Sequence, residues 1–156
     1  MARLKGITFV VITAACGTAL SHPVLLAGML RNLIRNAIDY TSSGGGVFVT
    51  SRRCGSELRI SVRDTGVGIG TNALSAIFTA FQRADKTRQD GLGLGLFIVK
   101  HAADLLGHRV ELRSAEGRGS CFAIVTNAAP RSLLPRAGAL QTGSFNRDRA
   151  GLRVGR

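Results

Sequence analysis

Extended and helical patterns follow one another in this chain without strict alternation, and that order constrains the fold more than any other feature. Ile7–Thr13 is rich in β-branched residues and reads as a strand. Ser21–Tyr40 reads as a long amphipathic helix. Ser21 can cap it, Pro23 suits its first turn, and Leu26, Met29, Leu30, Leu33, Ile34, Ala37 and Ile38 recur at helical spacing. Val47–Arg53 and Glu57–Arg63 alternate apolar and polar residues around Cys54, Gly55 and Ser56, as the two arms of a hairpin would. A glycine-bearing loop, Asp64–Gly70, then leads to a short helix around Ala73–Phe78. Gly91–Leu96 opens a second long helix ending near Leu106, and two last strands, Arg109–Ser114 and Ser120–Thr126, flank a turn at Glu116–Gly119. The expected fold is an α/β two-layer sandwich, a mixed sheet of about five strands covered on one face by about three helices.

At 156 residues the chain suits one domain, expected over residues 1–128, and a domain of this size hides about two-thirds of its unfolded surface. From residue 129 on, prolines, glycines and arginines lack periodicity, which reads as a basic, disordered tail. Of the net charge of +12, residues 131–156 supply +5 (six arginines against one acid, Asp148), so much of the basicity belongs to that tail. No recognition helix, zinc-ligand pattern or aromatic-basic strand accompanies the charge, which argues against a nucleic-acid partner. Cys16, Cys54 and Cys121 form no Cys-x-x-Cys pair, so a metal site or disulfide scaffold is not expected and a reducing cytosol fits. Arg3 and Lys5 ahead of the apolar run Ile7–Cys16 give the look of a short signal peptide. That run is well short of the roughly 20 residues that span a bilayer, and its β-branching favours a strand. No membrane contact is expected of the domain.

Three segments carry residues suited to chemistry. In LRNLIRNAIDYT, Asn32 and Asn36 stand four residues apart and share one helix face, opposite the apolar stripe. An asparagine amide is a neutral oxygen donor that can complete the shell of Mg²⁺ beside phosphate oxygens, although two helix asparagines taken alone are more often plain surface residues. In DTGVGIG, Asp64 ends a strand, where its carboxylate can accept from an exocyclic amine such as adenine's. Gly66 and Gly68 would let the backbone approach a flat ring; a tight turn capped by an aspartate is the plainer alternative. In GLGLGLFIVKHAADLLG the alternating glycines can expose a run of N–H groups at a helix start, a ready anion site, or simply make a flexible loop pinned by leucines. Neither the dinucleotide fingerprint nor a Walker-type Gly-Lys-Ser/Thr is present.

Taken in order, these segments resemble the sensor histidine kinases, within the superfamily that includes gyrase and the mismatch-repair ATPases. LRNLIRNAIDYT is similar to that family's asparagine box, VRDTGVGI to its first glycine box, IFTAFQRA to its phenylalanine box and GLGLGLFIVKHAADLLG to its second glycine box. SAEGRGSCFAI is similar to its closing hairpin, and the resemblance runs from Lys5 to Val125. It implies ATP and Mg²⁺ as cofactors. It would make Asn36 the metal ligand, Asp64 the partner of the adenine amine, and Gly66, Gly68 and Ile69 the lining of the base pocket with Tyr40 beside it. Gly91, Leu92, Gly93, Leu94, Gly95 and Leu96 would meet the phosphates, and Arg83 would act near the transferred phosphoryl group. Phe78 and Phe81 would anchor the lid, Gln82–Leu92, which closes over the triphosphate, unless they are ordinary core residues.

The departures are informative. Asp39 stands where the family usually has Lys or Arg near the phosphates. An acid there would repel a triphosphate by roughly 1 kcal/mol or more, unless Lys86 or Arg88 compensates. His108 takes a position usually held by glycine. Asn32 stands where hydrolysing relatives such as gyrase carry a water-activating glutamate. His22, His101 and His108 lack the acid, arginine and proline that follow the family's phosphoacceptor histidine. The expectation is therefore a donor domain, cytoplasmic, that transfers the γ-phosphoryl group of ATP to a histidine on a dimerisation and phosphoacceptor hairpin, and through it serves a response regulator. The alternatives are a serine kinase of the anti-sigma type and a non-catalytic nucleotide-sensing module.

Overall fold

The computed structural model of the protein describes residues 6–13, 17–74, 76–79 and 94–130. Strands β1 (Thr8–Thr13), β2 (Gly46–Cys54), β3 (Glu57–Asp64), β4 (Arg109–Ser114) and β5 (Ser120–Asn127) form one sheet in the order β1-β2-β3-β5-β4. β1 runs parallel to β2, and every other pairing is antiparallel, so the sheet is mixed as expected. The parallel pair needs a crossover, and helix α1 (Pro23–Tyr40) supplies it. Helices α2 (Thr71–Leu74) and α3 (Gly95–Leu106) complete the second layer.

Cross-strand register sorts the side chains into two faces. Val49 stands opposite Val62, Val62 opposite Phe122, and Leu112 opposite Phe122. These residues, with Val47, Ile124 and Val110, face the helices. Met29, Leu33 and Ala37 of α1 and Val99, Ala102 and Ala103 of α3 recur at helical spacing and close over them. Met29 and Leu33 are each 1% exposed, and burial of such a side chain is worth roughly 1.5–3 kcal/mol. Phe78 joins this core, its ring edge-on to Phe122 at 6.5 Å.

Three boundaries differ from the sequence expectation. His22, not Ser21, caps α1: its Nδ1 accepts from the Leu25 N–H at 3.5 Å. The Ser21 hydroxyl is instead paired with His108 Nε2 at 2.8 Å, a contact from a distant turn that no local pattern announces. α2 begins two residues before Ala73 and ends at Leu74, followed by turns. The described part of α3 starts at Gly95. Its C-cap is Gly107 in the left-handed conformation, with the His108 N–H bonded to the Ala103 carbonyl at 2.8 Å. The left-handed residue is thus Gly107, and His108 needs no glycine's freedom.

Segment 18–20 runs beside 127–129 through the Leu20 N–H to Asn127 O bond (2.8 Å) and the Ala129 N–H to Thr18 O bond (2.8 Å). The basic tail lies, from residue 131 on, outside the described residues. No helix among the described residues is long and apolar enough to cross a membrane.

Candidate functional site

The last two turns of α1, the loop after β3 and the start of α3 converge at one end of the helical layer. Position 95 is the marker. A methyl group on Gly95 would lie 3.7 Å from Asn36 Oδ1 and 3.8 Å from Asn32 Oδ1. Both asparagine amides therefore border the start of the described part of α3, where no side-chain cap is made. Partial positive charge from the helix and neutral amide oxygens share this spot. Among the described residues no three His, Cys, Asp or Glu side chains gather as a metal cluster. A cation here would therefore depend on amide oxygens and on oxygens brought by a ligand.

Asp64 ends β3 and is 5% exposed. Its Oδ1 accepts from the Gly66 N–H at 2.8 Å and from the Ser120 N–H at 3.1 Å. Burial raises its pKa above the ordinary aspartate value, while the Gly66 and Ser120 N–H groups work in the opposite direction. The two N–H groups fix the carboxyl's orientation through one oxygen, which leaves Oδ2 as an acceptor.

Gly66 and Gly68 are indispensable for a reason other than approach to a flat ring. A methyl group on Gly66 would overlap the Tyr40 carbonyl, and one on Gly68 would overlap the Ala115 carbonyl. The loop is wedged between the end of α1 and the β4–β5 turn. Val67 N–H bonds Tyr40 O at 3.3 Å, Gly117 N–H bonds Val67 O at 2.7 Å, and Ile69 N–H bonds Ser114 Oγ at 2.8 Å. Ile69 also packs on the core.

Gly119, in that turn, completes the wedge and carries no site role in the sequence reading. Its φ is +75°, and a methyl group on it would overlap the Asp64 carbonyl. A glycine just before Ser120 in a hairpin turn is the only local signal; that the turn abuts Asp64 is a long-range fact. We expect Gly119→Ala to cost roughly 2–4 kcal/mol in chemical denaturation, from left-handed strain plus overlap. Gly107→Ala, with open space around its Cβ position, should cost about 1–2 kcal/mol for the same handedness alone. Equal costs would mean that the turn yields and does not press on Asp64.

Asp39 has a partner one helical turn earlier, Arg35, with Nε to Oδ2 at 3.6 Å. The compensation that sequence reading sought in Lys86 or Arg88 thus has a nearer source. Of the remaining candidates, Tyr40 ends α1 with its carbonyl accepting from Val67 N–H, Leu94 precedes α3, and Leu96 packs on the core. Arg83, Lys86, Arg88, Gly91, Leu92 and Gly93, with Phe81 and the lid 82–92, lie outside the described residues.

Comparison with known proteins identifies relatives of the chain. Residues 21–130 match the family described as histidine kinase-, DNA gyrase B-, and HSP90-like ATPase. An uncharacterised sensor-like histidine kinase of Rhizobium meliloti is 37% identical over 127 residues, covering 79% of this chain and 24% of the relative. The sensor-like histidine kinase SenX3 of Mycolicibacterium smegmatis is 39% identical over 103 residues, covering 64% of this chain and 27% of the relative. The chain thus spans about a quarter of the length of the curated relatives it matches. Among solved structures, full-length ShkA in complex with AMPPNP superposes with a TM-score of 0.72 at 32% identity, over 85% of this chain and 28% of that one. The nucleotide-free catalytic domain of histidine kinase ThkA superposes at 0.69 and 27% identity, over 81% of this chain and 82% of that one. The chain belongs to the histidine kinase-, DNA gyrase B- and HSP90-like ATPase family, as an ATP-binding catalytic domain of the kind that sensor histidine kinases carry.

Proposed function

We propose that the domain holds Mg·ATP at the junction of α1, the Asp64–Gly70 loop and α3, and gives the γ-phosphoryl group to a histidine on a helical hairpin. That hairpin belongs to the same kinase, in cis or in trans, and the phosphoryl group then passes to a response regulator, on the cytoplasmic side of the membrane. The carrying observation is Asp64, a buried carboxyl oriented through one oxygen by two backbone N–H groups. An acceptor so placed selects an amine-bearing base. The α3 N-terminus suits phosphate oxygens. Asn36 would hold the cation, and Asn32 would sit beside it. Mg²⁺, when bound, neutralises charge between the phosphates; the amides orient it and the helix start receives the phosphate oxygens.

The Arg35–Asp39 pair lessens the repulsion that Asp39 would impose on a triphosphate, which weighs against a pocket that has lost its nucleotide. In Asn36→Ala, calorimetry should find the Mg²⁺ dependence of ATP affinity gone and a weaker metal-free affinity retained. A variant that still gains as much from Mg²⁺ as the wild type would move the metal elsewhere. Phosphotransfer assays with helical-hairpin and serine-bearing acceptors separate a histidine kinase from an anti-sigma-type serine kinase.

A further inference from the structure

The outer face of the sheet, away from the helices, carries rows of charge that span β5. Glu57 of β3 accepts from Arg109 of β4 at 2.8 and 3.2 Å, and Arg59 of β3 reaches Glu111 of β4 at 2.6 Å. Nearer the β4–β5 turn the arginines have no such acidic partner among the described residues. Arg63 and Arg113 both stand opposite Cys121 on β5, so two guanidinium groups flank one small side chain on one face. Among the described residues neither makes an ion pair, nor does Arg118 in the β4–β5 turn. The three arginines, with Cys121 and Ser120, line an open groove of about 290 Å³. Its one acid, Asp64, is held by the Gly66 and Ser120 N–H groups. Glu116, nearby in the turn, directs Oε2 towards Gly70.

We propose that this groove docks an acidic segment of a partner protein, whose carboxylates pair with Arg63, Arg113 and Arg118. Guanidinium forks suit carboxylates bidentately. The groove is open, so a lone small anion would keep much of its water, whereas carboxylates tethered on one chain engage several arginines together. A membrane surface is disfavoured because Glu57 and Glu111 lie on the same face, and an anionic bilayer pressed on it would meet them.

The test uses the whole chain and a fluorescein-labelled deca-glutamate peptide, followed by anisotropy at low salt. Arg63→Gln/Arg113→Gln should weaken binding about tenfold or more, and Arg52→Gln, an exposed change on the same face outside the groove, by less than about twofold. The peptide should also slow alkylation of Cys121 but not of the exposed Cys54, read by mass spectrometry. Because neither arginine makes an ion pair among the described residues, the double change should not lower the melting temperature, and Arg113→Gln alone gives a second reading. Equal losses in Arg52→Gln, or no protection of Cys121, would overturn the proposal. So would phosphatidylserine vesicles binding through the two arginines where the peptide does not, or inorganic phosphate alone protecting Cys121 as well as the peptide does.

Discussion

Asp64→Asn should remove most adenine-nucleotide affinity and leave the fold at least as stable at neutral pH. The side chain keeps its shape, and its Oδ1 can still accept from the Gly66 and Ser120 N–H groups. The second position then becomes an NH₂ facing the amine of the base, donor against donor. Loss of a charge-assisted bond in a buried site costs on the order of 1.5–3 kcal/mol, about 10- to 150-fold in Kd. The stability half follows from the raised pKa. A carboxyl whose folded value lies above its unfolded value, ordinarily near 3.8, binds its proton more tightly when folded. Its contribution is therefore fully present below the unfolded value and lost as pH rises through the folded one. Wild-type stability should fall with rising pH across that window, and Asp64→Asn should lack this slope. Nucleotide affinity should run the other way, rising with pH as the carboxylate forms. Calorimetry and thermal melts over acid to neutral pH measure both. Unchanged nucleotide affinity in the variant would dismantle the pocket assignment, and a folding defect at neutral pH would show that the charge itself stabilises the native state.

Periodicity made much of this readable in advance. Met29, Leu33 and Ala37 mark the buried stripe of α1, and the alternation in β2 and β3 sets which residues face the helices. The convergence of Asn32, Asn36 and the α3 start was legible only through the order of the motifs, because periodicity alone does not bring two helices together. Gly66 and Gly68 have a packing requirement that the local sequence does not announce. Their missing side chains make room for the carbonyls of Tyr40 and Ala115, contacts set by tertiary packing. Gly119 escaped because its requirement comes from Asp64, far away in sequence. The Ser21 cap failed for a similar reason, since His108 occupies that hydroxyl across the fold. The Arg35–Asp39 pair stands at the helical spacing that lets opposite charges meet, so the sequence alone carries it.

The isolated chain should turn over ATP negligibly, and Asn32→Glu should raise hydrolysis by about 10²-fold. Asn32 and Asn36 lie one turn apart on α1, and both amides border Gly95 at the start of α3. With the phosphates at the α3 start, as proposed above, a base at position 32 would reach a water near them. An amide has no basic lone pair to take the proton at neutral pH, so attack by water lacks help worth roughly 10²–10⁴-fold in rate. A glutamate restores a base at that position. A neutral imidazole is already nucleophilic and needs less activation, so the same amide that suppresses hydrolysis spares transfer to histidine. Adding a cognate helical hairpin to the wild-type chain should yield an acid-labile, base-stable phosphohistidine on the hairpin, dependent on Arg83. Asn32→Glu should divert part of that flux to free phosphate. Steady-state phosphate release and single-turnover labelling read the two outcomes separately. Rapid hydrolysis by the wild-type chain, lost in Asn36→Ala, would make it an ATPase; no gain in Asn32→Glu would mean that position 32 does not face the attacking water.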